Sequence, residues 1–155
     1  MKYKRLFFKE FYYKLPRIII ALIIYGSLVS YHIPLNKQDE IIGKWLMPDN
    51  LEIEMFKKDN LYFGKIVGLE GFNNGQTKDY QNPDKSKRNE NLLGKVIIYG
   101  LKFDPYTQQW VNGKIYAPQK GITLDLVILK ISNKTLEAKG SKLFFSKTIL
   151  WTRRV

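Results

Sequence analysis

The chain has 155 residues, one histidine and no cysteine, and its 26 Lys and Arg against 14 Asp and Glu give a formal net charge of +12. A chain of this length holds one compact domain that folds without staples, and the missing cysteine excludes a disulfide scaffold, a thiolate metal site and a lipidated N-terminus. The lysines are scattered singly or in pairs, as on a solvated surface, so nucleic acid is not expected and polyanion binding is the least favoured role.

The first segment sets itself apart. Residues 1–30 carry six bases (Lys2, Lys4, Arg5, Lys9, Lys14 and Arg17) and one acid, Glu10, a net of 6 − 1 = +5. An uncharged apolar run from Ile18 to Val29 follows at once. That order predicts, over residues 1–35, either a cleaved signal sequence or a single N-terminal transmembrane anchor in an apolar helix. If uncleaved, residues 15–35 contact the membrane, and the aromatic residues among the early bases suit its interface. The basic end stays inside, which places residues 40–155 in the periplasm or on the outer face of the inner membrane.

From Leu51 the pattern becomes strict alternation, with Leu51, Ile53 and Met55 on one side and Glu52 and Glu54 on the other. A period of two marks a half-buried strand. Similar stretches predict strands at 43–47, 51–57, 61–68, 94–103, 109–116, 122–131, 134–140 and 147–154. Short turn-forming links such as Pro48-Asp49-Asn50, Asp104-Pro105 and Ser132-Asn133 make successive strands antiparallel neighbours. About eight such strands favour an all-β, up-and-down barrel, because closure removes the exposed edges. Asn112-Gly113 is read as a bulge inside a strand, since a turn there leaves strands too short.

Residues 69–93 lack periodicity, and a loop of that length is expected to form the rim of any site. Its Asp79, Asn82 and Asp84 are candidate oxygen ligands for a hard cation, but Asn82-Pro83-Asp84 is an ordinary turn starter and the neighbouring lysines oppose a metal. Arg88 is expected to pair with Asp79 or Asp84 and tie the loop down.

Catalysis has few means here. The lone histidine, His32, lies outside the expected domain, so the usual triads cannot be built, no cofactor or metal is implied, and the chain is read as no enzyme. Asp125 lies between Leu124 and Leu126 in the most apolar strand, where an inward carboxylate marks a site. Tyr99, Trp110 and Tyr116 are the other candidates to line a barrel interior, which at eight strands either fills with side chains or admits one small ligand.

The order of Gly43-Lys44-Trp45, Tyr62-Phe63-Gly64-Lys65, Asn82-Pro83-Asp84, Arg88-Asn89, Leu92-Leu93-Gly94, Gly113-Lys114-Ile115-Tyr116 and Trp151-Thr152-Arg153 resembles the bacterial exported family known as domain of unknown function 2147. The resemblance runs from about residue 42 to the end. It implies a calycin-like or lipocalin-like barrel and no established activity. The Gly-x-Trp opening also resembles the first lipocalin strand, which implies that Arg153 covers the Trp45 indole and closes one barrel end. With the aromatic content, the resemblance favours a binding module for a small apolar or amphipathic ligand, the alternative being an envelope interaction or scaffold protein acting through its surface or residues 69–93.

Overall fold

The structure, a computed structural model, describes residues 36–154. The expected leader, with its membrane contact at 15–35, lies outside the described residues. The strands are β1 (Gly43–Leu46), β2 (Glu52–Lys58), β3 (Leu61–Gly68), β4 (Val96–Asp104), β5 (Gln109–Ala117), β6 (Ile122–Ile131), β7 (Thr135–Lys142) and β8 (Phe145–Arg154). Each pairs antiparallel with the next, and β8 returns to β1 with Lys44 opposite Arg154, Trp45 opposite Arg153 and Leu46 opposite Thr152. The sheet is a closed up-and-down barrel, as the alternation predicts. Closure leaves no free edge for another chain to extend.

Alternation also sets the interior. On β2, Ile53 and Met55 are buried while Glu52 and Glu54 keep contact with solvent. The same rule sends Ile66, Leu101, Trp110, Ile115, Leu126, Ile128, Leu136 and Trp151 into one apolar core. Asn112 interrupts it with a φ of +62°, and the register passes from Trp110 opposite Ile128 to Gly113 opposite Leu126. Two residues of β5 therefore face one of β6, which is a bulge. Gly113 is required there, because a Cβ would lie 2.5 Å from the Leu101 side chain.

One hairpin differs from expectation. The sequence leaves residues 141–146 between β7 and β8, yet Ser141 pairs with Ser146 and Lys142 with Phe145, so only Leu143 and Phe144 form the turn. Uninterrupted backbone pairing extends both strands where side-chain alternation gives no signal.

The end of the barrel that holds Trp45 is sealed by residues 36–42, which make a 3-10 turn at Lys37–Asp39. Trp45 Nε1 donates to the Ile41 carbonyl at 2.8 Å, and Trp110 Nε1 to the Gln38 carbonyl at 2.9 Å. Asp39 accepts from the Tyr62 hydroxyl at 2.6 Å and from Lys57 at 3.0 Å. Arg153 lies over the Trp45 ring, 4.2 Å from its centroid, and donates to the Glu40 carbonyl at 2.8 Å and the Ile42 carbonyl at 3.3 Å. The cation therefore joins the first strand, the last strand and the sealing segment. A partly desolvated cation over an indole and a charged hydrogen bond are each worth about 1–2 kcal/mol. Arg153→Met, which keeps the length of the side chain and removes its charge and donors, is expected to lower the unfolding free energy by about 2 kcal/mol; the urea midpoint should fall with an unchanged slope.

Candidate functional site

The opposite end is open. Turns β1–β2, β5–β6 and β7–β8 surround a pocket of about 500 Å³, a size typical of small-molecule sites. Its position follows from two small residues. On β7 the inward side chains after Leu136 are Ala138 and Gly140, which face Ile149 and Lys147 of β8 and Ile128 and Leu126 of β6. A larger pair would fill the lumen as the aromatic residues fill the sealed end. Leu124, Leu126, Ile115 and Ile149 complete an apolar wall, Met47 and Leu51 flank it, and Trp151 lies toward the sealed end as the floor.

Polar groups are few and placed at the two depths of this cavity. Trp151 is fully buried, and its indole N–H makes no hydrogen bond among the described residues, unlike those of Trp45 and Trp110. Near the mouth, Gln119 donates to Asp49 at 2.9 Å while its own carbonyl oxygen finds no partner among the described residues. Lys120, Lys142 and Lys147 also line the pocket, against the single carboxylate of Asp49. The mouth is thus basic and the walls are apolar.

Of the four side chains predicted to line the interior, the structure brings only Tyr116 to the pocket. Its hydroxyl turns away to donate to Asp79 at 2.6 Å. Trp110 fills the sealed end, against Phe103 at 5.1 Å between centroids. Asp125 faces outward, because it pairs across the strands with Lys114 and the two form an exposed ion pair. Tyr99 is the other cross-strand neighbour of Lys114 and shares that outer face, its hydroxyl donating to the Val96 carbonyl. Neither Asp125 nor Tyr99 lines the cavity. Sequence reasoning missed Ala138, Gly140, Lys147 and Trp151; for Ala138 and Gly140 the signal available was their low volume at alternate positions of β7.

Residues 69–93 are packed rather than an open rim. They bury Phe72, Asp79 and Leu92 completely and carry a bridge between Lys78 and Asn91. Asp79 accepts from Tyr116, from Asn82 at 2.7 Å and from Lys95 at 2.9 Å. Asn82 in turn accepts from the Asp84 backbone, and Asp84 caps the turn at Lys85–Lys87 through Ser86. Arg88 pairs with neither carboxylate; it donates to the Asn82 carbonyl at 2.8 Å. The carboxylates are already occupied by nearer donors, so the guanidinium ties the loop through backbone instead. No group of three or more His, Asp or Glu side chains is arranged to hold a metal among the described residues.

The loop also presses on the β5–β6 turn beside the pocket. At Gly121, where φ is +63°, a Cβ would sit 1.9 Å from the Gln81 carbonyl oxygen. Asp79 thus anchors one wall of the mouth. Burial pushes its carboxyl up, but the hydrogen bonds from Tyr116, Lys95 and Asn82 outweigh this and hold it below its ordinary value of 3.8. The Tyr116 hydroxyl is raised, first by burial and then by Asp79. A depressed carboxylate contributes stability that is complete above the unfolded pKa and lost as pH falls through the folded one. Asp79→Asn is therefore expected to cost about 2–3 kcal/mol at pH 7, and the difference from wild type should shrink as denaturation is measured at progressively lower pH below about 4.

Residues 43–153 match the family described as "Uncharacterized protein conserved in bacteria (DUF2147)". Among solved structures, protein HP1028 from the human pathogen Helicobacter pylori, described as belonging to the lipocalin family, superposes with a TM-score of 0.65 at 22% identity, over 74% of this chain and 83% of that chain. At that identity the likeness is one of fold. No curated protein matches the sequence. With the closed eight-strand barrel and most of its length matched, the chain belongs to the DUF2147 family and has a lipocalin-like fold.

Proposed function

We propose that this barrel is a binding module that holds a small apolar or amphipathic ligand in its open-end pocket. The observation that carries the reading is the pocket itself: an apolar lumen of about 500 Å³, left by Ala138 and Gly140 in an otherwise filled barrel. Each methylene moved from water into such a lumen contributes about 0.8 kcal/mol, so the walls supply affinity without specific contacts. The polar end of an amphipathic ligand suits the lysines of the mouth, and the Trp151 N–H offers a donor at the floor. The likeness of fold to a lipocalin-family protein supports the same reading.

We place the module in the periplasm or on the outer face of the inner membrane. The support is the basic-then-apolar order of residues 1–35.

Gly140 supplies the test. A Cβ there would meet only Leu124 Cδ1, at an ordinary 3.4 Å, so a larger side chain enters the lumen without displacing backbone. Gly140→Leu displaces at least two ligand methylenes and is expected to weaken retention of a lipophilic fluorescent probe by roughly fifteen-fold, with the circular dichroism of the barrel unchanged. Probe affinity that is equal in the two proteins, or absent in the wild type across long-chain acids, alcohols and amines, overturns the reading.

A further inference from the structure

Beside the pocket, the β7–β8 hairpin projects an apolar tip. Leu143, Phe144 and Phe145 are 89%, 98% and 82% exposed. From Lys139 to Lys147 the segment Lys-Gly-Ser-Lys-Leu-Phe-Phe-Ser-Lys contains three lysines and no acid. Leu143 has a φ of +53°, while Phe144 has no positive φ. A two-residue turn with a positive φ at its first central position normally places glycine there, because a side chain is strained in that region. A bulky apolar residue thus occupies a strained, almost fully exposed position, where local turn chemistry favours glycine. Such departures concentrate at functional sites.

We propose that the tip docks the barrel on an anionic lipid surface, with Leu143 and Phe144 entering the interface and Lys142 and Lys147 meeting the lipid headgroups. Charge selects this partner. An acidic surface is attractive to the whole segment, whereas tip-to-tip pairing of two copies brings six lysines together with no compensating carboxylate on the hairpin. Lysine is also depleted at the centres of protein interfaces. The depth is limited by the backbone: a turn leaves peptide groups unpaired, which the headgroup zone tolerates and the hydrocarbon does not. Lys142, Phe145 and Lys147 also line the pocket, so docking brings the mouth against the lipid. The proposal does not depend on what the pocket holds.

The absence of native cysteine makes the tip addressable in the full chain. Phe144→Cys carries an environment-sensitive nitrobenzoxadiazole label at the tip, and Tyr106→Cys, 96% exposed in the β4–β5 turn at the sealed end, carries the same label as reference. On titration with phosphatidylglycerol–phosphatidylcholine vesicles, emission at position 144 is expected to rise and shift to the blue, with little change at 106. Pure phosphatidylcholine or high salt should reduce the response. Adding Lys142→Gln and Lys147→Gln is expected to weaken the tip's vesicle titration roughly 25-fold, about fivefold for each charge removed. Because the label reports local environment, contact made by residues 1–35 does not mimic this pattern. No response at 144, equal responses at both ends, a response indifferent to the two lysines, or a change at 144 that grows with protein concentration without vesicles overturns the proposal.

Discussion

The barrel depends on a strand of four residues. β1, Gly43–Leu46, is all that connects β2 to β8, and three register pairs join it to β8. Backbone pairing over so short a length is weak support for closure. Side chains supply the rest: Trp45 is completely buried, Arg153 covers its ring, and both are bonded to carbonyls of residues 36–42. The sealing segment is therefore part of the closure, since it accepts the hydrogen bonds that let two tryptophans and an arginine be buried or half-buried at that end.

This division makes the two ends unlike. At the sealed end every indole N–H has a backbone acceptor, and Phe103 and Trp110 fill the space between β4 and β5. Toward the other end Trp151 has no acceptor among the described residues, and the residues beyond it shrink to Ala138 and Gly140. An interior of eight strands is just wide enough that the volume of a few inward side chains decides between a filled core and a cavity. Here both outcomes occur in one barrel, separated by the layer that contains Trp151 and Leu136.

The strands were legible because period-two alternation and turn residues report local geometry, and those signals are strong at Leu51–Met55 or Asp104-Pro105. Closure was legible for the same reason, since a meander of such strands has few other ways to hide its edges. The lumen was not. Which face a side chain takes depends on register, and the register shifts between Tyr62 and Lys65 and at Asn112 move residues between faces in ways that a list of alternating residues does not record. Tyr99 was misplaced on this account, while Tyr116 reaches the pocket with its hydroxyl turned to Asp79. Asp125 was ambiguous because β6 is apolar on both faces; only its pairing with Lys114 settles the direction. The likeness of the Gly-x-Trp opening to the first lipocalin strand carried the Trp45 and Arg153 pair, which no spacing rule supplies.

The hairpin turn is where local and global demands conflict most openly. β7 and β8 pair from Thr135 opposite Thr152 to Lys142 opposite Phe145, farther than their own sequences advertise, and this length places the turn residues in solvent at the pocket mouth. Stability alone favours small polar turn formers there, as at Asp59-Asn60 or Ser132-Asn133 in the turns of the sealed end. Apolar side chains at an exposed turn gain nothing from the fold, so their free energy is available only to something outside it. The basic mouth, the apolar lumen and the strained tip thus share one end of the barrel, opposite the end that Trp45 and Arg153 close.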